Sequence, residues 1–279
     1  MKLIRFDDAS QYYQRIESYL LQDEAVNCLP LASSSRLCKK EDYDKASYLA
    51  LVENEGTILT TAIHIRDRRL LLSKSSDVEA VELIARDLAV SSPSIPGITA
   101  PQTEAETFVV VWRSLTQQST ELKVVMLIQQ LEQLNALDSA VGRLRLAALD
   151  EIELITEWIQ AFVKEALGVN ELKADSQQWA IRHLEENSLY VWENNKLVSM
   201  ASYGGKTPNG IRIGSVYTPP KDRGRGYATS CVAAMSRLLL EQQRYCFLFT
   251  DVANSTSNKI YAQIGYKPMG KIKDYKFYG

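Results

Sequence analysis

The stretch "PPKDRGRGYATS", residues 219–230, brings together residue types that bind phosphate. Arg223, Gly224, Arg225 and Gly226 stand in succession between a run typical of a strand and a run typical of a helix. The first N–H groups of a helix lack intrahelical acceptors and lie at the positive end of its dipole, so a helix start attracts anions. Glycine lets the backbone approach a ligand closely, and arginine adds charge-assisted hydrogen bonds. The stretch predicts a phosphate-binding loop, the alternative being a turn whose arginines are only solvated.

The spacing within this loop does not fit two common phosphate motifs. The P-loop pattern G-x-x-x-x-G-K-[ST] is absent, and the dinucleotide fingerprint requires glycine or alanine where Thr229 stands. Arg223, Gly226 and Ala228 form the pattern R-x-x-G-x-A instead. In this pattern the chain resembles the GNAT superfamily of acyl-CoA-dependent N-acetyltransferases, whose [QR]-x-x-G-x-[GA] loop binds the pyrophosphate of CoA.

A second stretch, "NSTSNKIYAQIGYKP", strengthens the resemblance. The family pattern N-x-x-[AS]-x-x-x-Y-x-x-x-G-[FY] is matched by Asn254, Ser257, Tyr261, Gly265 and Tyr266. The signatures "VYTPP..RGRGYA" and "TD.AN..SNKIY" are similar to those of a bacterial subgroup of these acetyltransferases. The resemblance covers the second half of the chain, roughly residues 141–279.

The resemblance implies which residues bind the acyl donor, acetyl-CoA, and it implies no metal. In this family the strand before the loop splays away from the next strand, and the pantetheine arm of CoA lies in the gap. Backbone groups of Val216, Tyr217 and Thr218 would contact that arm, and Asn254 and Ser257 would contact CoA from the second motif. The residues that would bind the pyrophosphate are Arg223, Gly224, Arg225, Gly226, Tyr227, Ala228 and Thr229.

Tyr261 would act as the general acid that protonates the departing thiolate. The acceptor amine attacks the thioester carbonyl, and a backbone N–H of the strand before the loop stabilises the oxyanion. A thiol of pKa ~8.5 takes a proton from a tyrosine of pKa ~10 only if the transfer is concerted or the product favoured. The alternative role of Tyr261 is packing in the core. Asn254 has the alternative role of helix N-cap, which is compatible with contacting CoA.

The general base stays open at this point. An alkylamine has a pKa of ~10.4 and must lose a proton before attack, so a carboxylate, a histidine or a water chain is expected near it. The strand "RIGSVY" has no acid, where some family members keep one. Asp251 and Glu193 are candidates that we interpret as ordinary exposed carboxylates. His183 is interpreted as a surface residue of a helix, and His64 lies in the other half of the chain.

Two classes of function fit these motifs. The first is an enzyme that transfers an acetyl or other acyl group from CoA to a primary amine. The second is a non-catalytic acyl-CoA-binding sensor or scaffold, which would not need a general acid at Tyr261. The acceptor, a small-molecule or peptide amine, the length of the acyl group and the oligomeric state cannot be determined from the sequence.

Composition sets further limits on the partners. The chain has 279 residues, of which 46% are hydrophobic and 24% charged, enough for roughly two domains with their own cores. Its net charge of −2 gives no reason to expect nucleic acid. Residues 1–140 carry 14 Lys+Arg against 20 Asp+Glu, whereas residues 141–279 carry 18 against 14. The basic second half suits a small polyanionic ligand.

No stretch of the sequence predicts a membrane span, a signal peptide or a metal site. The longest apolar runs fall far short of the ~20 residues that a span requires, and the start "MKLIRFDDASQYY" lacks the layout of a signal peptide. We therefore expect a cytoplasmic protein. The four cysteines show no C-x-x-C spacing and are expected to be inert thiols.

Hydrophobic periodicity predicts the elements that position these residues. In the first half it predicts helices over 8–22, 77–88 and 102–117, three strands in "SYLALVENEGTILTTAIHIRDRRLLLS" and a Pro/Ser/Gly-rich break, "SSPSIPGITAP". The second half reads strand, helix, hairpin turning at Asn194–Asn195, strand, helix, strand, helix, strand. Asp150 and Glu153 are expected to cap its first helix. This order predicts an α+β fold with a mixed sheet, which is what the GNAT resemblance implies.

Two domains are expected from this order. Residues 139–279 would form the GNAT N-acetyltransferase domain that binds acyl-CoA. Residues 1–138 follow a parallel order of elements without the arginine-glycine loop, and so predict a degenerate GNAT-like domain. Its acidic surplus favours a role as a lid over a cationic acceptor, and a purely structural role is equally compatible.

Overall fold

The computed structural model describes residues 1–38, 46–92, 94–170 and 172–279. The chain folds into two compact units. Unit 1 consists of Met1–Ile128, Thr250–Ala253 and Pro268–Gly279. Unit 2 consists of Gln129–Phe249 and Asn254–Lys267. The units are therefore not simple halves of the sequence, and the predicted division between residues 138 and 139 stays a prediction.

The elements repeat in the same order along the chain. The first series is β1 (Lys2–Arg5), α1 (Ala9–Leu20), α2 (Cys28–Leu37), β2 (Ala46–Asn54), β3 (Thr57–Ile65), β4 (Leu70–Leu72), α3 (Val78–Ser91), β5 (Gly97–Pro101), α4 (Gln102–Thr116) and β6 (Ser119–Leu131). The second series is β7 (Arg143–Leu146), α5 (Ile152–Leu167), α6 (Lys173–Glu185), β8 (Leu189–Asn194), β9 (Lys196–Gly204), β10 (Gly210–Tyr217), α7 (Tyr227–Leu240), β11 (Tyr245–Asp251), α8 (Ser255–Ile264) and β12 (Lys267–Tyr278). The predicted mixed α+β architecture is confirmed.

The sheet of unit 1 includes the last strand of the chain. Its neighbouring strands follow the order β1-β2-β3-β4-β5-β12-β6. β12 runs antiparallel to β5, with pairs from Ile272–Pro101 to Lys276–Gly97. Buried side chains of α1 and α2 pack in one core cluster and those of α3 and α4 in another. The C-terminal end of the chain thus completes a core made largely by the first series of elements.

The sheet of unit 2 has the strand order β11-β10-β9-β8-β7. β10 pairs with β11 in parallel, and the remaining pairs in this unit are antiparallel. Neighbouring residues of β8 enter different clusters: Val191 packs with Trp158 of α5, and Trp192 packs with Met235 of α7. Because side chains alternate along a strand, α5 and α6 cover one face of this sheet and α7 and α8 the other.

Most of the predicted helices and strands are confirmed, two elements were not predicted, and two local expectations are wrong. The sequence predicts neither β1 nor α2. Residues 97–101, "GITAP", were expected within a break but form β5, which is buried throughout. The capping pair Asp150–Glu153 does not form, because a 3-10 turn precedes α5 and Glu151 Oε2 instead accepts from the Ala148 N–H at 2.8 Å. Within the described residues, none of the helices has the length and apolar composition to cross a membrane.

Candidate functional site

The parallel strands β10 and β11 of unit 2 separate along their length. Their ladder contains the pairs Gly210–Tyr245, Ile211–Cys246 and Arg212–Phe247. Among the described residues it does not continue beyond Arg212, although β10 extends to Tyr217. The carboxyl ends of the two strands therefore diverge, as the resemblance implies. Backbone groups on this side of β10 lie where an extended ligand can pair with them.

A bulge distorts β10 where the divergence has begun. The register with β9 shifts between Gly214 and Tyr217, and Ser215 has a φ of 49°, which is rare for a residue with a side chain. Such bulges often lie next to active sites because they redirect backbone groups. Ser199 Oγ donates to the Tyr217 carbonyl at 3.1 Å and accepts from Thr218 Oγ1 at 2.9 Å. These two bonds fix the end of the strand.

The arginine-glycine loop, Arg223–Gly226, joins this strand end to α7. All four loop residues are exposed, and Gly224 and Gly226 have φ values of +74° and +75°. Gly226 is the N-cap of α7, and no described side chain caps this helix. The first intrahelical bond is made by the Ser230 N–H to the Gly226 carbonyl at 3.0 Å. The preceding N–H groups, which include those of Tyr227, Ala228 and Thr229, are directed out of the helix start, as an anion site requires.

The corresponding helix start in unit 1 is filled by side chains of its own unit. Asp77 Oδ1 caps α3 by accepting from the Glu79 N–H at 2.9 Å. Glu104, which is buried, accepts from the Ser75 N–H at 2.6 Å through Oε1. Ser75 Oγ in turn accepts from the Asp77 N–H at 3.2 Å. Carboxylates thus occupy the N–H groups that an anionic ligand would need.

Arg223 is anchored at both ends of its guanidinium. Its Nε donates to the Thr218 carbonyl at 2.8 Å, and one terminal nitrogen donates to Glu165 Oε2 at 2.7 Å. The guanidinium also lies 5.7 Å from the centre of the Tyr217 ring. Both side chains of the Arg223–Glu165 pair are 47% exposed, so the pair is weak. A phosphate can therefore replace the Glu165 carboxylate at little cost.

Tyr261 lies in the core cluster that also contains Tyr227 and Cys231, with Val216 packed against it. Its ring meets the Tyr266 ring edge-on at 5.9 Å between centroids. Burial, followed by the nearby Cys231 thiol, raises the pKa of Tyr261 well above its usual value. The hydroxyl is therefore protonated at any physiological pH, and because it is a weaker acid than a free tyrosine, it could protonate a thiolate only in a concerted step.

Asn254 caps α8 as its sequence position predicts. Its Oδ1 accepts from the Ser257 N–H at 3.0 Å. The Asn254 side chain is exposed and Ser257 is half-buried. The N-cap role of Asn254 is confirmed, and contact of either residue with CoA stays a prediction.

Comparison with known proteins identifies the fold. Residues 193–274 match the family described as FR47-like protein. A Drosophila protein has a TM-score of 0.69 at 13% identity, covering 99% of this chain and 98% of that one. A GCN5-related N-acetyltransferase from Sphaerobacter thermophilus has a TM-score of 0.60 at 14% identity, covering 99% and 95%. The chain has the GNAT fold.

A tandem member is also similar over its full length. A tandem GNAT protein from the clavulanic acid biosynthesis pathway has a TM-score of 0.55 at 10% identity, covering 99% of this chain and 98% of that one. No curated protein sequence matches the chain significantly. The resemblance to the GNAT superfamily is thus confirmed, whereas the bacterial subgroup stays a prediction.

The candidate bases of this GNAT-fold chain differ in availability. Glu193 accepts from Arg145 and Arg143, which lower the pKa of its carboxyl group. The His183 ring lies 4.0 Å from the Trp179 ring, centre to centre and tilted by 37°, rather than free on the surface, and burial lowers its pKa to about 4. Both groups have partners that hold them in place. Asp251 is exposed, as predicted, and no general base is assigned.

The histidine and cysteine side chains of the described residues do not come together in a metal-binding cluster. In the described part of the chain, no group of three or more His, Cys, Asp or Glu side chains is arranged to hold a metal ion. His64 is buried in unit 1, where burial lowers its pKa. Cys231 and Cys246 are buried thiols whose pKa values burial raises to about 12.

Sequence reasoning missed the residues that support the loop. Glu165, Asn194 and Lys196 contact the loop or a residue next to it, Asp222 directly precedes the loop, and Ser199 contacts the end of β10. No spacing rule connects them to the GNAT motif, because the contacts join separate elements. The sequence signal for a turn at Asn194–Asn195 predicts that Asn194 and Lys196 lie at the end of a hairpin. It does not predict which residues they contact.

Proposed function

We propose that this protein transfers an acetyl or other acyl group from acyl-CoA to a primary amine. The observation that supports this best is the exposed, left-handed glycine loop that opens an uncapped α7 beside two diverging strands. Solved structures with the same fold include proteins named as N-acetyltransferases. The acceptor that we propose is a small-molecule or peptide amine.

The donor would lie along β10 and across the start of α7. The pyrophosphate would accept from N–H groups of Gly226 to Thr229, with Arg223 and Arg225 adding charge. The pantetheine arm would pair with backbone groups of Val216 to Thr218, and Asn254 and Ser257 would contact it from α8. The positive φ values of the two loop glycines and the uncapped start of α7 fit such a ligand. Residues with side chains rarely adopt these φ values, which accounts for glycine at both positions.

The bound thioester supplies an activated acyl carbon, and the chain supplies orientation and protons. A backbone N–H at the bulge of β10 stabilises the negative charge that develops on the carbonyl oxygen. The Tyr261 hydroxyl gives its proton to the departing sulfur as the new C–N bond forms and the C–S bond breaks. The amine proton leaves to water or to an unassigned base. The products are an amide and free CoA thiol.

Thiol release tests the proposed function directly. The purified protein is incubated with acetyl-CoA and a broad panel of primary amines, including metabolites, polyamines, amino acids and peptides. Amine-dependent release of CoA thiol is the expected result. Tight binding of acetyl-CoA without thiol release for any amine would instead support the sensor or scaffold function.

We also predict that one acyl-CoA binds per chain, in unit 2. In unit 1 the Asp77 carboxylate caps α3 and the Glu104 carboxylate binds the Ser75 N–H just before it, and both would repel a phosphate there. No described side chain caps the start of α7 in unit 2. Titration calorimetry with acetyl-CoA is therefore expected to give a stoichiometry of one. A stoichiometry of two would contradict the assignment of residues 1–138 as a degenerate domain.

A further inference from the structure

The turn between β8 and β9 contacts the chain on both sides of the arginine-glycine loop. Asn194 Nδ2 donates to Tyr227 Oη at 2.9 Å. Lys196 Nζ donates to Asp222 Oδ1 at 3.0 Å and to Oδ2 at 3.2 Å. Asp222 comes directly before the loop and Tyr227 directly after it. The end of the β8–β9 hairpin, Asn194–Lys196, therefore contacts the residues at both ends of the loop.

The two residues that the hairpin contacts are buried, but the loop between them is exposed. Asp222 is 2% exposed and Tyr227 is 8% exposed, whereas Arg223–Gly226 between them are exposed. These two residues are thus packed into unit 2 while the loop faces solvent. This pattern fixes the separation and direction of the loop ends without covering the N–H groups between them.

Because Asp222 is negatively charged, an anion can bind at the neighbouring loop only if Lys196 neutralises that charge. The Asp222 side chain is 3% exposed and stands next to a loop that would receive a pyrophosphate. A buried carboxylate without a counter-ion would be strongly disfavoured and would also repel the ligand. Lys196 neutralises it while keeping its own side chain 56% exposed.

We propose that Asn194 and Lys196 are positioning residues for the pyrophosphate of the acyl donor. They act through Tyr227 and Asp222, which they hold at the two ends of the loop. A loop that is ordered before binding loses less conformational entropy when the ligand arrives, so affinity rises. This inference rests on the proposed function, because it requires CoA to bind at the loop.

The test compares two acyl donors with the variants Asn194→Ala and Lys196→Met. Acetyl-CoA carries the pyrophosphate, whereas S-acetylpantetheine carries the same thioester and arm without it. With acetyl-CoA we expect KM, and the Kd for CoA, to rise about tenfold in each variant, the effect of one hydrogen bond to a positioned group. The kcat at saturating acetyl-CoA and the kcat/KM for S-acetylpantetheine are expected to stay within about twofold of the unaltered protein.

Two further variants separate positioning from general stability. Lys123→Met removes a lysine from the exposed pair with Glu121, 3.0 Å apart in unit 1, and is expected to change neither donor's kinetics. Lys196→Met with Asp222→Asn removes both charges of the pair, including the buried one on Asp222, and we expect it to fold more stably than Lys196→Met and to recover part of the CoA affinity.

The outcomes distinguish this inference from the proposed function. Equal losses with both donors would assign Asn194 and Lys196 a structural role only and would overturn the inference. Unchanged CoA affinity in both Asn194→Ala and Lys196→Met would overturn it as well. Failure of the unaltered protein to bind CoA at all would overturn the proposed function, and the inference with it.

Discussion

Replacing Gly226 by valine is expected to abolish the thermal stabilisation that acetyl-CoA gives the protein. Gly226 has a φ of +75° directly before α7, and a β-branched residue is strongly disfavoured in this left-handed region. The loop would have to leave the geometry in which its N–H groups converge on one ligand. At a hundredfold excess over Kd, a bound ligand stabilises a protein by ~2.7 kcal/mol. We expect the corresponding rise in Tm to disappear.

A matched glycine provides the control for backbone strain. Gly56, in the turn between β2 and β3 of unit 1, has a φ of +82° and open space around its Cβ position. Gly56→Val is expected to lower the Tm of the ligand-free protein while preserving the full shift with acetyl-CoA. Arg223→Glu, which adds no backbone strain and places a second carboxylate beside Glu165, is expected to lose the shift. A full shift in Gly226→Val would show that the pyrophosphate binds elsewhere.

The parts of the site that the sequence predicts are those with local signals. The loop and α7 combine glycines, arginines and a helical period within a few residues, and the structure places them as expected. Asn195 at the β8–β9 turn and Gly265 at the end of α8 have positive φ values, which their residue types favour. Such positions depend on the conformational preferences of single residues, so no tertiary contact is needed to predict them.

The parts that the sequence did not predict depend on contacts between distant residues. β12 pairs with β5 in unit 1, where Thr99 Oγ1 donates to Asp274 Oδ2 across 175 positions of sequence. Pattern analysis detects strands but not which strands pair over such separations. Asp222 is polar and follows two prolines, so its burial beside Lys196 has no signature in the sequence either.

Replacing Tyr261 by phenylalanine is expected to lower turnover by roughly 10²-fold, the usual contribution of a general acid, while leaving the Kd for CoA nearly unchanged. The substitution removes only the hydroxyl, so the ring still packs against Tyr266. Steady-state kinetics with acetyl-CoA, and calorimetry with CoA, measure the two quantities separately. Turnover equal to that of the unaltered protein would exclude Tyr261 as the proton donor and favour solvent.

Tyr266→Phe is the matched control, because it removes a hydroxyl from the same cluster. Tyr266 Oη lies 2.8 Å from Ser236 Oγ, and losing this buried bond is expected to lower stability by about 1 kcal/mol with little effect on turnover. A comparable loss of turnover in both variants would point to the packing of α8 rather than to proton transfer.

The pH dependence gives an independent check on Tyr261. Because burial raises the pKa of Tyr261 above its usual value, the hydroxyl is fully protonated between pH 6 and 9 and adds no falling limb to the kcat profile there. Tyr261→Phe should therefore lower kcat by the same factor across this range. The factor should shrink for aryl thioester donors, whose thiolates are less basic and need less protonation as they leave. A defect that stays constant as the leaving thiol becomes more acidic would contradict general-acid catalysis by Tyr261.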